Sequence, residues 1–549
     1  MQRTTALTFL ILPTALACAE GDSVDALPDA GAERHARPVR VVLAPSAAKL
    51  VFRPTHFNAN CEYHRAGLYF GTLPADDPRS KRRAFASLLR ANGVRSLRFP
   101  GGNCSYWYLY DSEGATRELT TALKLGTYAA KNFQNQHFTP LANFLVFCRD
   151  YGIEPILQLP TMFYNDGGCP RAILASKYSA RAPELYDRNR LEEAVVYIRR
   201  LATWTHRHAL EVRHWEIGNE EFAHCSVEQF APLTVAYAKV IRQTYPEACI
   251  YVTAMEWAGE LLPRLKASGF DSSDVILTTH YPFGNWYLPP KSVDARDPAN
   301  YLMADMRFEK NYAVSRRMLE RLGWRGARRA ATETSVIRFP QPNEHSWDPF
   351  AVIPSFAHAL AFAYNWSVLI SQPECTVASF HDLESTYFGL IKYHAYYDRP
   401  AKRYAWIRPD QTQRPQNVSP ACWFADKYVV TPTATAMGIL AELVGCQRLD
   451  VRVSGDGGAY ARHEIHFIAG SKGNTVTFVA LNRTAHIVSI ELLMSKDAGR
   501  PGTLRGRVLT ARSLRSVTPD EISLHPIELG GTKVDLPAHS LSVLMCPAR

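Results

Sequence analysis

The feature that most limits what this chain can fold into is an alternation. From about residue 55 to 447, short runs rich in β-formers trade places with longer amphipathic runs. The short runs are HFNANCEY (56–63), VRSLRF (94–99), EPILQL (154–159), RHWEIG (213–218), CIYVTAM (249–255), DVILTTHY (274–281), RRAATET (328–334) and TVASFHD (376–382). The long runs carry helical signals. Over 80–92, Phe85, Leu88 and Leu89 share a face that ends at Asn92–Gly93, a capping pair. Over 191–204, Leu191, Ala194, Val195, Ile198, Leu201 and Ala202 form one stripe. Ser226 and Gln229 form a capping box ahead of Phe230, Leu233, Tyr237 and Ile241. A fourth helix runs from Arg307 through Tyr312 and Leu319 to a stop at Gly323, and others are expected at 141–151, 257–267, 356–370 and 432–445. Eight strands alternating with eight helices predict a closed (β/α)8 barrel, a TIM barrel, over 55–447. The rival is an open doubly wound sheet. It announces itself with a Gly-rich phosphate turn after the first strand, and NANCEYHRAG has no such turn.

The pattern changes at about residue 448. VRVSG, EIHFIAG, TVTFVALN, HIVSIELLM and SLSVLM are alternating runs at close spacing, which predicts a β-sandwich over 448–549. RVVLAP and AKLVFR (40–53), which make up the segment 41–54, are expected to join it. At the N-terminus, Arg3 precedes ALTFLILPTALA, an apolar run too short to span a bilayer, and then Cys18. Residues 1–18 therefore have the form of a secretory signal. TALAC resembles a bacterial lipobox, in which Cys18 becomes the lipidated first residue. The small, polar stretch 19–40 reads as a flexible tether. The alternative is cleavage after Ala17 or Ala19 and free secretion. Either way the protein is expected to be exported, as a cell-surface lipoprotein or as a secreted or periplasmic protein.

Ten cysteines remain after Cys18, with no CxxC pair, which argues against a zinc ribbon. An even number in an oxidising compartment permits disulfides without fixing their pairing. The net charge of +10 is spread through RSKRR, YIRR and SRR at helical spacing. That reads as a solvated outer face, so nucleic acid is not an expected partner.

The chemistry is carried by RHWEIGNEEF (213–222). If RHWEIG is the fourth barrel strand, Asn219 and Glu220 lie at its C-terminal end, the face where barrel enzymes keep their catalytic residues. The seventh strand ends with Glu333 on the same face. Two such carboxyls suit retaining glycoside hydrolysis, which needs an acid/base and a nucleophile about 5–5.5 Å apart. Glu221 is the adjacent rival to Glu220, and only one of the two can point inward. Glu256, ending the fifth strand, is a rival nucleophile, but its place beside Glu220 and not opposite it weighs against it. Arg98, at the end of strand two, is placed to hold the nucleophile ionised. Trp286 and Trp107 are candidate sugar-stacking platforms. Each of these residues also has an ordinary structural reading, as a loop acid, a cap or packing at the barrel rim.

WEIGNE (215–220), a glutamate ending strand seven and the trailing β-sandwich together resemble the clan A retaining glycoside hydrolases. Within that clan the α-L-arabinofuranosidase family is the most similar. LRFPGGN (97–103) resembles its motif after strand two, EYH (62–64) its Glu–His near strand one, and HY (280–281) its His–Tyr after strand six. LPAHSLSVLM (536–545) is similar to its last sandwich strand. The resemblance implies Glu220 as acid/base, Glu333 as nucleophile, and Glu62, Arg98, Asn103, Asn219, His280 and Tyr281 as substrate-site residues, with no cofactor. Two motifs depart from it. ATETS around Glu333 is more like the heparanase and β-glucuronidase family, and QLPTMF ends strand three where an Asn is expected.

The expected partner is therefore a poly- or oligosaccharide. An arabinofuranoside is favoured over a glucuronide or xyloside, because Glu62 would repel a uronate and Asn103 and Asn219 suit hydroxyls. A non-catalytic glycan-binding protein would need one glutamate missing, and both are present. A metal-dependent hydrolase would need histidines with ligand spacing at strand ends, and the spaced pair His206 and His208 falls at a helix end instead.

Overall fold

The computed structural model describes residues 38–61, 82–102, 105, 141–161, 191–223, 225–281, 302–335, 355–383, 389–398, 403–407, 411–454, 463–495 and 503–547. Cys18, Glu62, Asn103, Trp107 and Trp286 lie outside these residues.

The first strand, β1 (Val39–Pro45), belongs to the distal sheet. The next eight close the barrel in sequence order. They are β2 (Asn58–Asn60), β3 (Ser96–Phe99), β4 (Glu154–Leu159), β5 (His214–Ile217), β6 (Cys249–Thr253), β7 (Ile276–Tyr281), β8 (Arg329–Thr334) and β9 (Cys375–Phe380). β9 returns to β2 in parallel, Asn58 opposite Ser379, so no barrel edge is left open. The eight short runs of the sequence are these eight strands, with β2 much shorter than its apolar run suggests.

Around the barrel stand α1 (Arg82–Ala91), α2 (Leu141–Tyr151), α3 (Leu191–Arg207), α4 (Val227–Thr244), α5 (Ala258–Ala267), α6 (Phe308–Arg321), α7 (Phe356–Ile370) and α8 (Pro432–Leu440). The predicted capping box opens α4, where Gln229 Oε1 accepts from the Ser226 N–H at 3.0 Å. α7 is buried along nearly its whole length because the barrel lies on one side of it and α8 and the distal sheet on the other.

The barrel interior is layered. Ile156, Tyr251, Ile276, Ala330 and Val377 form an apolar middle layer. Charged and polar side chains lie above it at the C-terminal mouth and below it at the base.

Two further sheets follow. A three-stranded sheet of β10 (Ile391–Asp398), β11 (Arg403–Trp406) and β12 (Trp423–Val430) precedes α8, inside the segment read from the sequence as barrel alone. The distal strands are β13 (Gln447–Ser454), β14 (Ile465–Lys472), β15 (Thr475–Asn482), β16 (Val488–Met494), β17 (Leu504–Ala511), β18 (Ile522–Leu529), β19 (Lys533–Leu536) and β20 (Ser540–Pro547). Together with β1 they form one hydrogen-bonded sheet in the order β18-β17-β20-β15-β14-β13-β1-β16-β19. The sheet folds over a single core. Val41, Phe467, Phe478, Leu492, Val534 and Leu544 pack together although they come from strands far apart in that order. Asn482 on β15 donates to the Leu536 carbonyl on β19, which closes the fold. Two facing layers result, as in a β-sandwich, with continuous hydrogen bonding around one side.

β1 is held between β13 (antiparallel) and β16 (parallel), whereas the following run makes only a single bridge, Val51 to Gln447. Cys148, Cys249, Cys375 and Cys446 are thiols, not disulfides. Among the described residues, no helix is long and apolar enough to cross a membrane.

Candidate active site

Arg98 organises the mouth of the barrel. It lies on β3 and is fully buried, so its guanidinium must find its partners inside the protein. Its Nε donates to Glu216 Oε2 at 2.5 Å and Nη2 to Glu216 Oε1 at 3.1 Å, a two-point grip. Nη1 donates to Glu333 Oε1 at 2.9 Å, and Nη2 also donates to Asn219 Oδ1 at 2.8 Å. One cation on β3 thereby fixes groups from β5, the β5 turn and β8. Gln158 on β4 adds a donor to the same Asn219 oxygen at 3.2 Å. The Asn60 amide on β2 completes the ring. With its oxygen facing His381 Nδ1 and Arg98 Nη1, both at 3.1 Å, its nitrogen donates to the Thr332 carbonyl and to Ser379.

The turn after β5 decides which of the two adjacent acids faces the mouth. Gly218 takes a φ of 78°, and a Cβ there would meet the Glu221 carboxyl at 2.1–2.2 Å. Glu221 is folded back beneath this glycine and fully buried. It accepts from Thr161 Oγ1 at 2.8 Å and from the Asn219 N–H at 2.7 Å. Burial raises its pKa, only partly offset by those hydrogen bonds, to about 7. The Glu220 side chain, 21% exposed, turns the other way.

His280 at the end of β7 joins the two candidate catalytic acids. Its side chain is 4% exposed. Nδ1 lies 2.9 Å from Glu220 Oε1 and 3.7 Å from Glu333 Oε2. The two carboxyl oxygens are therefore no further apart than those two lengths laid end to end. Burial works against the imidazolium, but the Glu333 and Glu220 carboxylates outweigh it and raise its pKa to about 9. Burial likewise works against an ionised Glu333. His280, His381 and Arg98 overcome it and hold that carboxyl down at about 2. His381, just past β9, approaches Glu333 Oε2 at 3.7 Å.

Solvent reaches the three carboxyls unequally. Glu216 is sealed, Glu333 is 7% exposed and Glu220 is the most open. The arrangement holds one carboxylate ionised and nearly sealed beside a second that is open to solvent.

Arg98, Asn219, Glu220, His280 and Glu333 thus converge. The Tyr281 backbone pairs with Thr334 at the same rim. Glu256 lies in the turn after β6 and accepts from Thr279 Oγ1 at 3.0 Å and the His280 N–H at 3.3 Å. It braces the end of β7 and does not face Arg98. The sequence reading missed Asn60, Gln158, Glu216 and His381. A signal for Glu216 was available, because an acid inside a strand expected to be buried requires a cation from another strand of the barrel. Arg98 is that cation.

Compared with known proteins, the sequence matches no family model and no curated protein. Its fold does match solved structures. One is the GH51 arabinofuranosidase from Xanthomonas axonopodis pv. citri, with a TM-score of 0.59 and 15% identity over 92% of this chain and 100% of that one. Another is the thermostable GH51 α-L-arabinofuranosidase from Thermotoga petrophila RKU-1, with a TM-score of 0.59 and 13% identity over 92% and 99%. A bifunctional glucanase-xylanase from a metagenome library is more distant, with a TM-score of 0.53 and 11% identity over 93% and 99%. These likenesses establish the fold. The chain is built as a (β/α)8 barrel carrying a β-sandwich, the architecture of the GH51 arabinofuranosidases.

Proposed function

We propose that the protein is an exported retaining glycoside hydrolase whose preferred substrate is an α-L-arabinofuranoside on the side chains of a polysaccharide. The observation that carries this reading is the meeting of Glu220 and Glu333 on one nitrogen of His280 at the barrel mouth. In the first step Glu333 attacks the anomeric carbon while Glu220 gives its proton to the departing glycosidic oxygen, leaving a covalent glycosyl-enzyme. In the second, Glu220 takes a proton from a water that attacks the same carbon, and Glu333 is released. Arg98 and His280 keep Glu333 ionised for the first step. Glu220, the more exposed acid, is suited to the proton exchange that both steps require.

The substrate preference rests on charge. A glucuronide needs a cation or several donors to offset the desolvation of its carboxylate. Arg98 is already committed to Glu216, Glu333 and Asn219. A neutral furanose asks only for hydroxyl partners. The test is kcat/KM on aryl α-L-arabinofuranoside, β-D-glucuronide, β-D-xyloside and β-D-glucoside. The arabinofuranoside should be turned over fastest. A clear preference for the glucuronide would make the ATETS motif the better guide to the sugar, and inactivity on all four would sink the reading.

A further inference from the structure

The base of the barrel carries a second cluster of reactive groups, beneath the apolar layer and away from the paired carboxylates. The parallel ladder between β5 and β6 places His214 directly beside Cys249. Glu154 on β4 lies two residues before Ile156, which is opposite His214, so Glu154 and His214 share the inner face at this level. Glu154 Oε1 meets His214 Nε2 at 2.7 Å, and the Tyr251 hydroxyl, two residues beyond Cys249, meets Nδ1 at 2.8 Å. The imidazole is therefore oriented from both sides and sits against a thiol. His214 and Tyr251 are buried, while Cys249 is half-buried at the start of its strand.

Both ring nitrogens are taken, so what the thiol meets is the charge of the imidazolium that Glu154 stabilises, and a cation beside a cysteine favours its thiolate. The charged groups around it act in the same direction. Burial raises the Cys249 pKa, but the His214 contact outweighs it, and Arg328 and Arg213 add to the lowering. Burial lowers that of His214, and Cys249 and Glu154 more than restore it. Arg53 also faces this cluster, acting on Glu154 and Tyr251. Cys375, at the start of β9, meets the His56 imidazole only at its backbone carbonyl, at 3.1 Å, and burial pushes its thiol up to about 12.

We propose that Cys249 is a nucleophilic thiol, activated by the His214–Glu154 pair, and that it forms mixed disulfides with small disulfides at the base of the barrel. In the exchange the Cys249 sulfur, as thiolate, attacks one sulfur of RS–SR. A new S–S bond forms as the old one breaks, and RS⁻ leaves and takes a proton from water. The protein sulfur is oxidised and the departing thiol is reduced, with no other reactant. The site is independent of the glycosidase reading.

The test uses the full chain and 5,5′-dithiobis(2-nitrobenzoate) as the small disulfide at pH 6, with release of the coloured thiolate followed in time and the modified cysteine located by peptide mass mapping. Cys249 should react at least tenfold faster than free glutathione at that pH, and Cys249→Ser should remove the fast phase. His214→Asn should slow it at least fivefold, and Glu154→Gln by a smaller factor. The pH–rate profile of iodoacetamide alkylation in the unsubstituted protein is the second measurement, and it stands even if His214→Asn does not fold. A midpoint below that of an ordinary thiol, about 8.5, supports the proposal. A midpoint at or above that value, or a fast phase that maps to another cysteine, overturns it.

Discussion

The mouth and the base of the barrel solve the same problem, charge buried beside an apolar layer, in different ways. At the base, Glu154 and His214 form a single pair, and Glu154 is 26% exposed. Either member can give up its charge by moving one proton. At the mouth, Arg98 is shared by two carboxylates with almost no solvent contact. An arginine has no accessible neutral form, so the cation of this cluster cannot shed its charge and must be held by geometry. Such rigidity suits a nucleophile that has to remain ionised and in place.

The largest expected difference between the two ends is in turnover. Glu333→Ala should lower kcat on an aryl arabinofuranoside by at least about 10⁴-fold, in line with losing a covalent nucleophile. Azide should restore activity and give a product of inverted anomeric configuration. Glu154→Gln, at the base, should leave kcat within about twofold. Comparable losses in the two variants would mean that the mouth is not the catalytic end. A dead Glu256→Ala beside an active Glu333→Ala would move the nucleophile to the turn after β6.

Stability should separate the ends next. Arg98→Met leaves Glu216 and Glu333 buried without their cation, a change of the kind that costs about 3–5 kcal/mol. Glu154→Gln leaves a histidine that can shed its proton, so the cost there should be about 1 kcal/mol or less. Urea unfolding at pH 7 measures both. Equal costs would show that Arg98 finds replacement partners or water.

The pH dependence of stability gives a smaller effect with a definite sign. His280 has its pKa raised to about 9 in the folded protein, against an ordinary value near 6.5. The folded state holds that proton more tightly, so the contribution is fully present below about pH 6.5 and is lost as pH rises through 9. Glu333 is shifted down, so its contribution is present above about pH 4.5 and is lost as pH falls through about 2. Melting temperature should therefore decline between pH 7 and 9.5, and His280→Asn should flatten that decline. An unchanged slope in the variant would show that His280 is neutral in the folded protein.

How much of this was legible in the sequence differs between barrel and site for a physical reason. Strand and helix periods are local, so EPILQL, RHWEIG and the stripe on α3 disclosed the barrel. The capping box at Ser226 marked the start of α4 because both of its members lie within four residues. The ring around Arg98 is not local. Asn60, Gln158, Glu216 and His381 lie in or just past strands up to 321 residues apart, and each is an ordinary polar residue in its own segment. Glu220, Glu333 and Arg98 stood out, because each falls at the end of a strand, at positions that the barrel count makes equivalent. The three-stranded sheet of β10–β12 was also hidden. Its runs are rich in aromatic and basic residues, and it lies between the last barrel strand and α8, where the barrel pattern predicts only a connection.

The finest contrast lies within the NEEF stretch, between two identical side chains one residue apart. Glu221 was a rival to Glu220 on sequence grounds. The structure separates them by the sharp turn at Gly218, which folds one acid inward beneath the backbone and leaves the other at the mouth. Replacing Glu221 by Gln keeps the fit, because the amide oxygen can accept from the Asn219 N–H and the Thr161 hydroxyl can rotate to accept from the amide nitrogen. Glu221→Gln should therefore keep kcat/KM within about threefold, whereas Glu220→Gln should lose activity most severely on substrates with poor leaving groups. Stability supplies an independent check. Burial raises the Glu221 pKa to about 7, so the folded state binds the proton more tightly than the unfolded chain does. That contribution is fully present below about pH 4.5 and is lost as pH rises through 7. The Gln variant has no proton to lose, so its melting temperature should gain on that of the parent between pH 6 and 8. A loss of turnover in Glu221→Gln equal to that in Glu220→Gln would show that the turn at Gly218 opens during the reaction and that the buried acid takes part.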